Sequence, residues 1–311
     1  MAEAFAPVRQ MPLFGKLAII GMGLIGSSLA RAARELNLAG IIAAADRDQA
    51  VTARVSALAL ADIATFSAVE AVKDADLVIL CVPVGICGRV AEEISAALKM
   101  GAILSDVGSV KGAILDHVTP HVPEGVHFIP AHPVAGTEHS GPDAGFASLF
   151  LNRWCILTPP EGANPAAVSR LRQFWEGMGA IVEEMTPQHH DLVLAITSHL
   201  PHLIAYNIVG TANDLEAVTQ SEVIKFSAGG FRDFTRIAAS DPTMWRDVFL
   251  HNKDAVLEML GRFSEDLSIL TRAIRFGDGE TLHKHFTRTR TIRRGIVSLG
   301  QDKPETEKLK Q

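Results

Sequence analysis

The chain reads as an α/β protein, with a doubly wound parallel sheet in its first half and an all-helical second half. Three observations predict this. Short, continuous apolar runs recur up to about residue 185 and alternate with helical patterns, the rhythm of a parallel sheet covered by helices on both faces. The first run leads into a glycine-rich turn, Gly21-x-Gly23-x-x-Gly26, at the start of a helical pattern. Beyond Pro187 the strand signals fade and only helical periods remain.

Composition narrows the class. With 311 residues, 48% hydrophobic and 21% charged, the chain is globular and long enough for two domains with a core. A net charge of −6 argues against nucleic acid as the main partner. Cys81, Cys87 and Cys155 form no CxxC pair and no even framework, which fits a reducing cytoplasm. The opening MAEAFAPVRQMPLFGK lacks a signal-peptide pattern. The longest apolar stretch, LAIIGMGLIGSSLARAA, carries three glycines and an arginine, so no membrane partner is expected.

Taken in order, Leu17–Ile20 is the first buried strand, and Ile25, Leu29, Ala32 and Ala33 follow at helical spacing. A second apolar run, GIIAAAD, ends at Asp46. Strand, glycine turn, helix, strand and acid together are the full context of a Rossmann-type dinucleotide site. Gly21 permits the tight turn, Gly23 lets the backbone approach a pyrophosphate, and Gly26 lets the helix pack on the strand. Leu24 and Ile25 begin that helix, whose N-terminus faces the phosphates. A turn that only packs a helix would share the glycines but not the whole pattern, and a site for S-adenosylmethionine usually lacks the third glycine at this spacing. Asp46 can accept bonds from the adenosine ribose hydroxyls and would repel a 2′-phosphate, which favours NAD. The adjacent Arg47 could pair with that phosphate, so NADP stays open.

Three more runs follow at 75–83, 101–112 and 126–133. Ligands of such sheets bind beyond the carboxyl ends of the strands. Val82 and Pro83, Asp106 with Ser109, and His132 lie at or just past those ends. Val82, Pro83 and Asp106 are therefore assigned to the cofactor. His132, at the end of VHFIPA and before the small-residue loop PVAGTEHSG, points at the rim where the nicotinamide would lie. On position alone it is either a catalytic group or a loop histidine bonded to backbone. A strand from Trp154, a helix around Ala166–Met178 and a strand at 180–185 complete the first domain. The expected domains are 1–186 and 187–311.

The second half opens with QHHDLVLAITSHLPHLIAYNIVGTA, a helix apolar on most sides and so buried on most sides. His199 and His202 share a face, and Pro201 between them predicts a kink. They could contact substrate, sit in the core or hold a metal, but no carboxylate stands at helical spacing to complete a metal set. In FSAGGFRDFTRIAASDPTMWRD a glycine turn leads to a basic-aromatic segment and a helix start capped by Ser240 or Asp241. The stripe Trp245, Phe249, Val256, Leu260, Phe263, Leu267, Leu270 and Ile274 predicts one helix of about 35 residues that packs on another chain or on its own bundle. Lys284, Arg288, Arg290, Arg293 and Arg294 read as a solvated face.

DVGSVKG, HPVAGTEHSG, SHLPH and GGFRDFTRIAASDPTMW occur in this order behind the dinucleotide fold. Together they closely resemble the prephenate/arogenate dehydrogenase family of tyrosine biosynthesis, from about Lys16 to about Ile296. The resemblance implies NAD(P)-dependent oxidative decarboxylation of prephenate or arogenate to 4-hydroxyphenylpyruvate or tyrosine, by a homodimer built through the helical domain. It implies that His132 takes the proton of the ring C4 hydroxyl and that Ser109 orients that hydroxyl. Arg236 is implied to bind a substrate carboxylate, and His202 and His199 to line the pocket. Thr137 and Glu138 would help close the site, and Trp245 would approach it from the partner subunit. No fused mutase or regulatory ACT domain is expected. Two other readings are a β-hydroxyacid dehydrogenase, whose helical domain supplies a catalytic lysine where SHLPH and DFTRIA offer histidines and an arginine, and a non-catalytic NAD-binding dimer.

Overall fold

The computed structural model describes residues 11–137, 139–219 and 228–298. The chain divides into two compact units, one running to Val256 and one from Leu257.

The first unit holds a six-stranded sheet of β1 (Phe14–Ile20), β2 (Ala39–Ala45), β3 (Ile63–Thr65), β4 (Leu77–Leu80), β5 (Ile103–Asp106) and β6 (His127–Phe128). The order is β3-β2-β1-β4-β5-β6, parallel throughout. Covering it are α1 (Leu24–Glu35), α2 (Gln49–Ala57), α3 (Ala68–Val72), α4 (Cys87–Ile94) and α5 (Gly112–Val118). The pleat sorts β1 onto two cores. Leu17 and Ile19 pack with Phe14, Phe174 and Trp175, while Ala18 and Ile20 pack with Val78, Leu80, Trp245 and Val248. The doubly wound class is as expected. β3 was not anticipated: three residues are too few to show a period.

The run at 126–133 is two strands, not one. Ile129 still donates to the Leu104 carbonyl of the parallel sheet, but the Pro130 carbonyl accepts from Thr158 instead. Pro130 has no N–H to continue the first ladder. The chain turns there into a second sheet of β7 (Ala131–Pro133), β8 (Trp154–Leu157) and β9 (Ile181–Glu184), with β7 antiparallel to β8 and β8 parallel to β9. His132 therefore belongs to this smaller sheet. α6 (Pro165–Gly177), capped by the Asn164 side chain, joins β8 to β9.

The helical half begins with α7 (Pro187–Leu194), where the Thr186 hydroxyl accepts from the His189 amide and Pro187 takes the first turn. A single π turn at Ala195–His199 precedes α8 (Leu200–Thr219). Pro201 cannot donate to the carbonyl four residues back, and the wide turn absorbs the missing bond, in place of a simple kink. The run Pro187–Asp214 is long and apolar enough to cross a membrane, with mean hydropathy 1.5. It nevertheless places His190, Asp191 and His199 in the interior of the first unit. α9 (Gly229–Thr235), a 3₁₀ turn at Arg236–Ala239 and α10 (Pro242–His251) follow. Of the two cap candidates, Asp241 does it, accepting from the Met244 amide at 2.8 Å.

The helix expected to run for about 35 residues is broken at Asn252 (φ −109°, ψ 33°), between α10 and α11 (Lys253–Phe276). The unit boundary at Val256, beyond residue 186, follows from packing. Trp245 and Val248 of α10 belong to one of the two sheet cores.

In the second unit, Gly277 (φ +68°) turns the chain from α11 into α12 (Gly279–Ser298). Leu257, Phe263, Leu267, Ile274, Phe286 and Ile292 of these helices are exposed.

Candidate active site

The glycine turn is fixed by what surrounds it. Gly21 has φ +98°, and a Cβ there would meet the Cys81 carbonyl oxygen at 2.4 Å; a Cβ on Gly26 would fall 2.0 Å from the Gly21 oxygen. Neither position tolerates a side chain. Around Gly23 there is open space, and α1 begins there with no side-chain cap and no acid in its first turn. A helix N-terminus with free amides, open space and a backbone stripped of Cβ atoms fits a pyrophosphate. Leu24 and Ile25 form the first turn of that helix. Asp46 directly follows β2 and turns its carboxylate onto the turn, accepting from Met22 N at 2.9 Å and Asp48 N at 3.0 Å. Arg47 beside it is exposed; Val82, half-buried, and Pro83, exposed, follow the carboxyl end of β4.

Asp106 does not join this group. It is fully buried against the equally buried Lys111, Oδ2 to Nζ 2.5 Å, and burial pushes its carboxyl up against the pull of that ammonium. The expectation that it contacts cofactor is corrected: Lys111, five residues on, turns the acid inward. The pair works as a staple. Asp106 accepts from the amides of Gly108 and Ala131, and Lys111 Nζ donates to the Ala131 carbonyl at 2.7 Å. It ties the loop carrying the half-buried Ser109 to the residue immediately before His132.

His132 is 7% exposed. Its Nδ1 lies 2.8 Å from His190 Nε2, and His190 Nδ1 lies 2.8 Å from Asp191 Oδ1. This chain of bonds dictates the tautomers. A carboxylate can only accept, so His190 carries its proton on Nδ1. Its Nε2 then accepts, so His132 donates from Nδ1. The His132 Nε2 lone pair is left free to take a proton from a ligand. Burial drives the His132 pKa well below the ordinary histidine value, and the repulsion a protonated ring would meet from His190, the Lys111 ammonium and His199 acts in the same direction. His190 is also lowered, mainly by burial, which Asp191 only partly offsets. Both rings are therefore neutral at neutral pH. Burial alone would raise Asp191, but its bonds from His190 and from the Lys111 and Gly112 amides hold it below the usual carboxylate range. Those amides open α5, so the acid also sits at a helix N-terminus.

Beyond this chain, His199 is fully buried with its pKa lowered to about 4, chiefly by burial. His202 lies flat against Trp245, ring centroids 3.6 Å apart and 23° from parallel, with its Nδ1 on the Ser198 carbonyl at 2.8 Å. Burial lowers its pKa, and the nearby charge of Arg236 lowers it further. Trp245 is 6% exposed and lies within the core of its own chain. This corrects the expectation that it reaches a site from a partner subunit: its ring is already packed on His202 and Phe249. Thr137 is half-buried and its hydroxyl accepts from the His139 amide. Glu138 lies outside the described residues. No group of three or more His, Cys, Asp or Glu side chains suited to a metal occurs among the described residues.

The fold thus brings His132, His199, His202, Trp245 and Arg236 together. Sequence reasoning missed His190, Asp191, Lys111 and Asn252. One signal was present: HHD, a histidine beside a carboxylate in an otherwise apolar helix.

The site and the fold define a two-part nicotinamide-type dehydrogenase. Residues 29–184 match the family model described as prephenate dehydrogenase, nucleotide-binding domain, and residues 186–288 match prephenate dehydrogenase, dimerization domain. A cyclohexadienyl dehydrogenase from Zymomonas mobilis is 42% identical over 91% of this chain and 96% of its own length. A prephenate dehydrogenase from Bacillus subtilis is 33% identical over 90% of this chain and 76% of its own. The crystal structure of prephenate dehydrogenase from A. aeolicus in complex with hydroxyphenyl propionate and NAD+ superposes with a TM-score of 0.84 at 32% identity, covering 91% and 98% of the two chains. The chain belongs to the prephenate dehydrogenase family.

Proposed function

We propose that the chain oxidatively decarboxylates prephenate, arogenate or both, with NAD as the preferred acceptor, as a step of tyrosine biosynthesis. The observation that carries this reading is the Asp191–His190–His132 chain, which leaves one neutral imidazole with a free Nε2 lone pair. A hydroxyl carbon gives up hydride most readily while its oxygen loses a proton, and a positioned neutral histidine is the group for that. A nicotinamide dinucleotide held by the Gly21–Gly26 turn and Asp46 would supply the hydride acceptor for ring C4. His132 takes the C4 hydroxyl proton, and Ser109 orients that hydroxyl. Departure of the ring carboxylate as carbon dioxide then leaves an aromatic ring. Arg236 holds a substrate carboxylate, with its planar fork suited to two parallel bonds, and His202 and His199 line the pocket. Thr137 borders the entrance.

The preference for NAD rests on Asp46 just after β2, where a carboxylate would meet the adenosine ribose and repel a 2′-phosphate. The boundary of function falls near Pro187, with the nucleotide on residues 1–186 and much of the substrate pocket beyond. A homodimer would cover the exposed Leu257, Phe263, Leu267 and Ile274 of α11, in agreement with the dimerization model matched there. The three free cysteines suit a cytoplasmic setting. Steady-state assays with prephenate and arogenate, each with NAD and NADP, test the reading. Turnover of at least one substrate with NAD favoured is expected; cofactor binding without turnover of either would overturn it.

A further inference from the structure

Asn252 breaks the helical run between α10 and α11, and the break turns its side chain inward, where it is 5% exposed. Its amide nitrogen lies 2.8 Å from the Asp191 main-chain carbonyl and 3.0 Å from His199 Nδ1. A main-chain carbonyl can only accept, so the group facing it is the –NH₂. The same –NH₂ faces His199 Nδ1, which must therefore accept as well. A neutral imidazole accepting at Nδ1 carries its proton on Nε2. That Nε2–H is buried and has no hydrogen-bond partner among the described residues.

We propose that Asn252 is a positioning residue that holds two groups of the site. One arm runs through the Asp191 backbone to His190 and His132. The other fixes His199 as the Nε2–H tautomer. The inference rests on the reading of His132 as the base and of His199 as a residue of the pocket. It accounts for two features at once: a helix broken at one residue, and a buried amide with both donors committed. The amide touches no reacting atom. A displaced ring costs rate by misplacing the base, whereas cofactor binding at the glycine turn should be untouched.

Proton–nitrogen correlation spectra of the histidine rings in the full-length enzyme test the tautomer directly, with His199 assigned by the signal lost in His199→Gln. The expected result is a protonated Nε2 and a bare Nδ1; a proton on Nδ1 overturns the proposal. Asn252→Asp places an acceptor against Nδ1 and should reverse the tautomer. Asn252→Leu removes both bonds. Each should lower kcat by about 100-fold with KM for NAD changed by less than about threefold. A folded Asn252→Leu enzyme with parental kcat overturns the proposal. A second pair needs no change at Asn252. The amide of His199→Gln can stand where Nε2 stood and should keep kcat within about tenfold, whereas His199→Leu should lose about 100-fold; equal losses overturn the His199 arm. Loss of the His132 reading is separable, because an unchanged kcat in His132→Asn would leave the His199 tautomer as found.

Discussion

Replacing His190 by leucine removes the acceptor that fixes His132. In the folded enzyme His132 Nδ1–H donates to His190 Nε2 at 2.8 Å in a site where both rings are buried. Without that acceptor the proton has no partner on Nδ1 and the ring is free to carry it on Nε2, the nitrogen that must be bare. A buried donor left unsatisfied costs about 1–3 kcal/mol. Since about 1.4 kcal/mol is tenfold in rate, a penalty of this size on the competent tautomer should lower kcat by about 5- to 140-fold. His190→Gln is the informative companion. Its amide oxygen can reach the place of Nε2 and accept from His132, while the bond to Asp191 is lost, so it should retain more activity than the leucine variant. The assay is the initial rate of nicotinamide reduction under saturating substrate and cofactor, with circular dichroism to confirm folding. A folded His190→Leu enzyme with parental kcat would refute the tautomer reasoning, because His132 would then need no acceptor behind it.

Asp46→Ser should shift the kcat/KM ratio toward NADP by about 1–3 kcal/mol, as a repelling carboxylate leaves and Arg47 becomes free to pair with the 2′-phosphate; a ratio that does not move places the ribose contact elsewhere. Arg236→Ala should cost about 2–5 kcal/mol, mostly as raised KM for substrate, by leaving a carboxylate unpaired, and steady-state kinetics with an unchanged KM would exclude the role. Lys111→Met leaves the fully buried Asp106 without its cation and should destabilise the fold by about 3–5 kcal/mol. Urea unfolding with an unchanged midpoint would show that the pair is not a staple.

The parallel sheet and the glycine turn were legible because each rests on local chemistry: continuous apolar strands, a positive-φ glycine, and an acid at the end of β2. The split at Pro130 was less so. VHFIPAHP has the apolar content of one strand, and only the partner strands, Leu104 on one side and Thr158 on the other, show that two sheets share it. Asp106 stands where an acid at a strand end meets ligand, but its direction is set by Lys111, a contact the strand pattern does not encode. His132 stood out by its place on the chain, whereas its partners His190 and Asp191 lie 58 and 59 residues away, at the start of a helix where polar residues are ordinary caps. Asn252 looked like one polar position within a regular apolar stripe, and Trp245 like part of an outward seam. In both cases the decisive fact is a partner on a distant helix, His199 for one and His202 for the other.

The proposed role of His132 as the base can be read from the pH profile of His132→Asn beside that of the parent. A base works only when unprotonated, so the parental rate should be level above its pKa and fall as pH drops through it. Burial lowers that pKa well below the ordinary histidine value, so the acid limb should lie below about 6.5. Asparagine keeps a polar side chain and removes the base. The variant should show a kcat lower by about 10²–10⁴-fold, KM little changed because the carboxylate contacts remain, and no acid limb in the residual rate. A His132→Asn enzyme with near-parental kcat and the same acid limb would contradict it and assign the proton to another group.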